Sequence, residues 1–138
     1  MSSSERPFPV ATADSRPFWQ FTGDHELRVP RCTDCGVLRY PPTARCGFCL
    51  SPASEWVLLS GRATLTSWTT VRDAFVPGIP TPYHPAEVEL VEQAGLSMIT
   101  QLVDLGEDDL RPGKELAVSW LDTHHGYSLP LFAPVRPS

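Results

Sequence analysis

From Trp56 onward, apolar and polar positions alternate with a period near two. The segments WVLLS, RATLTSWTTV, AEVELVEQ, LSMITQLVD, KELAVSWL and SLPLFAPV are rich in Val, Thr, Leu and Trp, residues that fit a pleated, half-buried surface. Glu92-Gln93-Ala94-Gly95 predicts a hairpin between two of them, and Pro112-Gly113 returns the chain to a strand after the polar stretch DLGEDDLRPGK. About five short antiparallel strands in roughly 80 residues predict a small closed barrel of the OB type rather than a two-sheet sandwich. The stretch Val76 to Pro85, VPGIPTPYHP, is a long strand connection, of the kind that serves either as a binding element or as a tolerated insertion.

Upstream the pattern differs. Residues 1–13 are polar and broken by proline, as expected of a mobile tail. Asp14 and Ser15 are N-cap candidates, Pro17 suits a first helical turn, and Gly23 can close a short helix. That helix carries Phe18, Trp19 and Phe21. Three aromatics are hard to bury in so small a module, so they are expected to anchor a protein interface; the alternative is that they pack on the segment that follows. Pro41 and Pro42 exclude helix from the next stretch.

That stretch holds the four cysteines, Cys32, Cys35, Cys46 and Cys49, as two C-x-x-C pairs. Such pairs place four thiolates around a tetrahedral zinc with no position left open, the arrangement of a structural rather than a catalytic site. Gly36 follows the first pair and Gly47 lies inside the second, where tight knuckles favour glycine. Two disulfides are the competing reading, but the doubled spacing and the absence of an apolar leader in MSSSERPFPVATADSRP favour zinc and a reducing cytoplasm. The predicted organisation is therefore a tail (1–13), a helix with a zinc ribbon (14–55) and a five-stranded OB barrel (56–138), a mainly β protein.

Composition narrows the function. The chain has 138 residues, 41% hydrophobic and 20% charged, with fifteen prolines and nine glycines. No apolar run approaches the roughly 18 residues a membrane span requires. The net charge of −5 is uneven. Residues 16–62 hold six arginines against four acids, whereas residues 63–138 hold four basic groups against ten acids. Arg31, Arg39 and Arg45 are expected to offset the thiolate charge. A zinc ribbon joined to an OB barrel raises single-stranded nucleic acid as an alternative partner, and the acidic barrel argues against it. No nucleotide-binding, nucleophile-elbow or zinc-protease motif occurs. Of the histidines His25, His84, His124 and His125, His84 beside Tyr83 is the strongest catalytic candidate, while His124-His125 reads as a solvated turn before Gly126. Glu107-Asp108-Asp109 reads as a solvated turn, and Trp68 and Trp120 read as core.

The order of features resembles the DUF35 family. The residues that carry the likeness are PFW at 17–19, ELRVPRC, the knuckle CTDCG, the Pro41-Pro42 pair, the knuckle CGFC, Ser60-Gly61-Arg62, Pro82-Tyr83, RPG at 111–113 and LFAPV. Gly47 stands where the family often has proline, and Ala63 where it often has glycine. The resemblance implies a rubredoxin-like zinc ribbon followed by an acyl-CoA-associated OB fold, in an accessory subunit of a thiolase-superfamily enzyme. It implies a thiolase-like partner that holds the catalytic residues, and chemistry that makes or breaks a carbon–carbon bond on an acyl-CoA, such as retro-aldol shortening of a steroid side chain. It also implies a shared coenzyme A thioester, for which Arg62 and Arg72 at the two ends of the first barrel strand, with Tyr83 and His84, are the candidate contacts. Phe18, Trp19 and Phe21 are the candidate partner contacts.

Overall fold

The computed structural model describes residues 11–74 and 78–135. Residues 1–10 of the expected tail, and Val76 and Pro77 of the proline-rich connection, lie outside the described residues. Helix α1 (Arg16–Gly23) has Ser15 at its N-cap and proline in its first turn. It is followed by a two-stranded antiparallel sheet of β1 (Arg28–Cys32) and β2 (Ser54–Leu58), with both zinc knuckles between the strands. Strands β3 (Arg62–Trp68), β4 (His84–Leu90), β5 (Ser97–Leu102), β6 (Glu115–Asp122) and β7 (Ser128–Pro134) then close a barrel in the order β3-β4-β5-β7-β6. All ladders are antiparallel except β5–β7, where Leu102 lies opposite Phe132. The expected mainly β chain with an N-terminal helix and a five-stranded OB-type barrel is thus observed. No helix among the described residues is long and apolar enough to cross a membrane.

One expectation about the strands needs correction. WVLLS, which begins the expected barrel segment 56–138, is not a strand of the barrel. Its first three residues, Trp56 to Leu58, belong to β2, which pairs with β1 along its whole length, from Arg28 opposite Leu58 to Cys32 opposite Ser54. Alternation alone specifies a half-buried strand but not which sheet receives it. The joint between modules therefore falls at Leu59–Gly61.

Alternation places the core. On β4 the inner positions are His84, Ala86, Val88 and Leu90, and the outer ones Pro85, Glu87 and Glu89. Ala86, Val88 and Leu90 join Leu65, Leu96, Met98, Leu102, Leu116 and Phe132 in one buried cluster that also contains Phe18, Leu27 and Val29 of the N-terminal module. Ribbon and barrel therefore share a core.

Polar contacts reinforce that seam. The Gln93 side-chain amide pairs with both backbone groups of Leu38: Oε1 accepts from its N–H and Nε2 donates to its carbonyl, each at 2.9 Å. At the other flank, His25 stacks on Trp120 with rings only 7° from parallel, and its Nε2 lies 2.6 Å from Asp122 Oδ1. Ser128 Oγ donates to the same carboxylate at 2.7 Å, and the Ser128 N–H donates to buried Thr22 Oγ1 at 3.2 Å. Gly61, at the joint, has φ +82°, and a Cβ there would come within 2.5 Å of Val118 Cγ1; its carbonyl accepts from the Val118 N–H at 2.8 Å.

Two measurements check this reading. Gly61→Ala should lower unfolding free energy by roughly 2–4 kcal/mol, because it adds a left-handed backbone penalty to a collision with Val118; urea denaturation reads it. The hydrogen bonds from His25 and then Ser128 hold the Asp122 carboxyl below its usual range. Its contribution is therefore complete above the ordinary aspartate pKa and is lost as pH falls through the depressed value. Asp122→Asn should thus be less stable than wild type at neutral pH, with the gap closing in acid.

Candidate metal centre and ligand groove

The two knuckles bring four sulfurs together. Cys32 and Cys46 are buried and Cys35 and Cys49 exposed. The Sγ atoms of Cys32 and Cys49, and of Cys35 and Cys46, lie 3.5 Å apart, and all four fall within 4.8 Å of one another. A tetrahedron with Zn–S bonds of about 2.3 Å has sulfur separations of ~3.8 Å, so the set fits a structural zinc with no ligand missing. The cysteines are free thiols, not disulfides. Backbone N–H groups aim at the sulfurs: Cys35 N–H at Cys32 Sγ (3.4 Å) and Phe48 N–H at Cys46 Sγ (3.3 Å). The first of these leads the causes that draw the Cys32 thiol down to about 6, and N–H groups of Cys49 and Phe48 lower Cys46. Both effects favour thiolates at Cys32 and Cys46. At Cys35 and Cys49, in spite of backbone N–H groups from Val37 and Ser51, burial and the neighbouring sulfurs raise the thiols, so zinc binding has to displace protons from that pair.

The knuckles repeat one design. In each, the residue after the second cysteine is left-handed and its N–H returns to the first cysteine's carbonyl: Gly36 (φ +80°) to Cys32 at 2.8 Å and Leu50 (φ +66°) to Cys46 at 2.9 Å. The position that calls for glycine in the second knuckle is thus Leu50, not Gly47, whose backbone is not left-handed. The arginines brace loops. Arg39 donates to the Thr43 carbonyl and Arg45 to the Leu50 carbonyl, while Arg31 faces Glu55 at 3.7 Å.

The aromatic helix does not present all three rings outward. Phe18 is 1% exposed and sits in the shared core against Trp19 and Tyr40, because a two-stranded ribbon has no apolar interior of its own and takes one from the helix. That corrects its expected place at a surface. Trp19 and Phe21 are half-buried, Trp19 edge-on to Tyr127 and Phe21 against Trp56 beneath the Arg28 guanidinium. Among the described residues, the exposed large apolar side chains of this module are instead Leu58 on β2 and, most exposed, Phe48 (79%) and Leu50 (67%) on the second knuckle. Periodicity could not reveal the latter two, since a four-residue metal turn has none.

The candidate ligand contacts divide. Arg62 stands exposed at the ribbon end of β3. Arg72, Tyr83 and His84 lie together at the opposite end, about 20 Å away along a seven-residue strand. There Val71 and Tyr83 exchange backbone hydrogen bonds of 2.8 and 3.0 Å. His84 is the first residue of β4 rather than part of the loop; it is 7% exposed, with Nδ1 3.1 Å from Thr70 Oγ1. Beside it runs an open groove of about 380 Å³ lined by Pro80, Pro82, Tyr83, His84, Leu102 and Leu105, with Asp104 at its edge. Arg72 Nη2 contacts Glu107 Oε2 at 2.9 Å. His25, Asp122 and Ser128 do not form a nucleophile–base relay, since both imidazole and hydroxyl bind the carboxylate.

Comparison with known proteins accords with this architecture. A profile described as ChsH2, rubredoxin-like zinc ribbon domain, matches residues 19–55; one described as ChsH2, C-terminal OB-fold domain, matches residues 56–121. Among solved structures, a chain of the "Ltp2-ChsH2(DUF35) aldolase" is 28% identical with a TM-score of 0.84, covering 92% of this chain and 98% of that one. A DUF35 protein of unknown function from Sulfolobus solfataricus shares the fold at 15% identity and a TM-score of 0.63, over 91% of this chain and 87% of its own. The chain belongs to the DUF35 family, with the zinc ribbon and OB fold of the ChsH2 type. Two curated relatives are the "Probable enoyl-CoA hydratase alpha subunit" of Thermomonospora curvata, 30% identical over 96% of this chain and 41% of that protein, and the "3-oxo-4,17-pregnadiene-20-carboxyl-CoA hydratase alpha subunit" of Mycobacterium tuberculosis, 32% identical over 83% of this chain and 36% of that protein. The chain spans about two fifths of the length of these relatives.

Purified protein should contain one zinc per chain by elemental analysis. Serine at any of Cys32, Cys35, Cys46 or Cys49 should abolish stoichiometric zinc and loosen the ribbon, seen as fast amide exchange across β1 and β2. Metal-free protein with disulfides would overturn the assignment.

Proposed function

We propose that this chain is a non-catalytic subunit that binds a thiolase-like enzyme and completes its acyl-CoA site, and that the complex cleaves a carbon–carbon bond by retro-aldol chemistry during steroid side-chain breakdown. The observation that carries the reading is the near full-length correspondence with the Ltp2-ChsH2 aldolase chain, 98% of which is covered. The two relatives named as hydratase subunits are matched over about two fifths of their length, so hydration is the less supported chemistry for this segment. The site chemistry agrees. The cysteines make a closed metal shell suited to holding a fold, and His84 is a buried imidazole already bonded to Thr70.

Electrostatics weighs against the nucleic-acid alternative. Glu87 and Glu89 hold the outward positions of β4, on the face where OB barrels lay down oligonucleotides, and a phosphate backbone there would meet repulsion. With Phe18 inside the core, the partner contact is best sought on the ribbon at Phe48 and Leu50, with Trp19 and Phe21 of α1 as half-buried candidates. Leu50 keeps a left-handed backbone at a cost of about 1 kcal/mol, which accords with a side chain retained for a contact outside the subunit.

The test is capture of the tagged chain from its native host, followed by assay with a steroid β-hydroxyacyl-CoA. A thiolase-like protein should co-purify, and cleavage should require both proteins. Phe48→Ser with Leu50→Ser should weaken the complex by about tenfold or more with zinc content and melting temperature unchanged. Undiminished assembly sinks this interface; cleavage by the chain alone sinks the accessory role.

A further inference from the structure

Next to Val71, the residue that pairs with groove-lining Tyr83, stands a cation, Arg72, and that cation is already engaged. Arg72 follows β3, and Glu107 opens the 3-10 turn Glu107–Asp109 that follows β5. Their side chains meet through one contact, Nη2 to Oε2 at 2.9 Å, with both exposed, the arginine more than the carboxylate. A single-point contact leaves the rest of the guanidinium fork unused, whereas a phosphate engages a guanidinium through two parallel hydrogen bonds and carries more charge. Glu107 and Asp104 together outnumber Arg72 in negative charge at this end. The field therefore disfavours a polyanion until Glu107 withdraws.

We propose that Glu107 is a built-in competitor for the anionic part of the ligand: it occupies Arg72 in the free subunit, and a phosphate of the CoA thioester has to displace it to bind. The inference rests on the acyl-CoA reading above and adds to it the residue that keeps the lone subunit's affinity low. The carboxyl is held below its usual range chiefly by the hydrogen bond from Arg72, so it stays ionised and competing throughout the neutral range. An exposed pair of this kind is worth little in stability, which makes it displaceable.

Calorimetric titration of CoA into the full chain tests the idea, with Glu107→Gln, Asp108→Asn, Arg72→Gln and the double variant Arg72→Gln/Glu107→Gln. Asp108 sits on the same turn, is exposed, and is not the residue that pairs with Arg72, so Asp108→Asn removes an equal charge without releasing the arginine. Glu107→Gln should tighten CoA binding about fivefold, Asp108→Asn by less than about twofold, and the gain should vanish in the double variant. Equal gains from Glu107→Gln and Asp108→Asn would show bulk electrostatics only. A gain that survives loss of Arg72, or CoA binding by Glu107→Gln no tighter than wild type, including binding undetectable in both, overturns the proposal. Retention of the thiolase-like partner by these variants is scored separately, so failure of the competitor is distinguishable from failure of the accessory role.

Discussion

A two-stranded ribbon cannot bury enough apolar surface to fold by itself, and that constraint organises the rest of the molecule. Helix α1, β1 and β2 supply a few large apolar residues, and Phe18, Leu27 and Val29 reach full burial only in the company of barrel residues. At its outer end the ribbon has no core at all, and four thiolates take over. Hydrophobic burial thus fixes one end of the small module and metal coordination the other. The Gln93 amide, bonded to Leu38 in both directions, and the His25–Asp122–Ser128 group settle its orientation on the barrel.

The same division explains what could be read from the amino-acid order. Paired cysteines and period-two alternation are local signals, and they identified the ribbon, the barrel and the hairpin at Glu92–Gly95. What escaped depends on partners distant in the chain. WVLLS has the pattern of a barrel strand, and only its pairing with β1 across both knuckles reveals otherwise. Phe18 reads as a surplus aromatic until the ribbon's lack of an interior is known. Gln93 sits 55 positions from Leu38 and gives no local hint of its role. Leu50 was hidden because its left-handed backbone is imposed by the knuckle and not by its own preference.

The metal site was legible in its paired cysteines, whereas the layout of the ligand candidates was not legible at all. Arg62, Arg72, Tyr83 and His84 are all near the ends of β3 and β4, yet the barrel separates Arg62 from the other three. The ribbon end of the barrel is where modules meet; the far end carries the open groove and the loop turns. Such polarity suits an accessory protein, in which one extremity offers apolar side chains to another macromolecule while the opposite one stays hydrated and shaped for a small molecule.

The placement of β2 bears on how the chain can be divided. Similarity profiles split it between residues 55 and 56, yet β2 runs from Ser54 to Leu58. A barrel fragment begun at Trp56 would drag three residues of the ribbon's hairpin with it, and the ribbon left behind would keep β1 unpaired from Arg28 to Pro30. Bare edges recruit other strands, so dissection at the apparent domain border would yield two sticky pieces in place of two independent folds. The profile border and the end of the hydrogen-bond ladder part company here by a few residues, and because the core spans both modules neither border separates two independent folds.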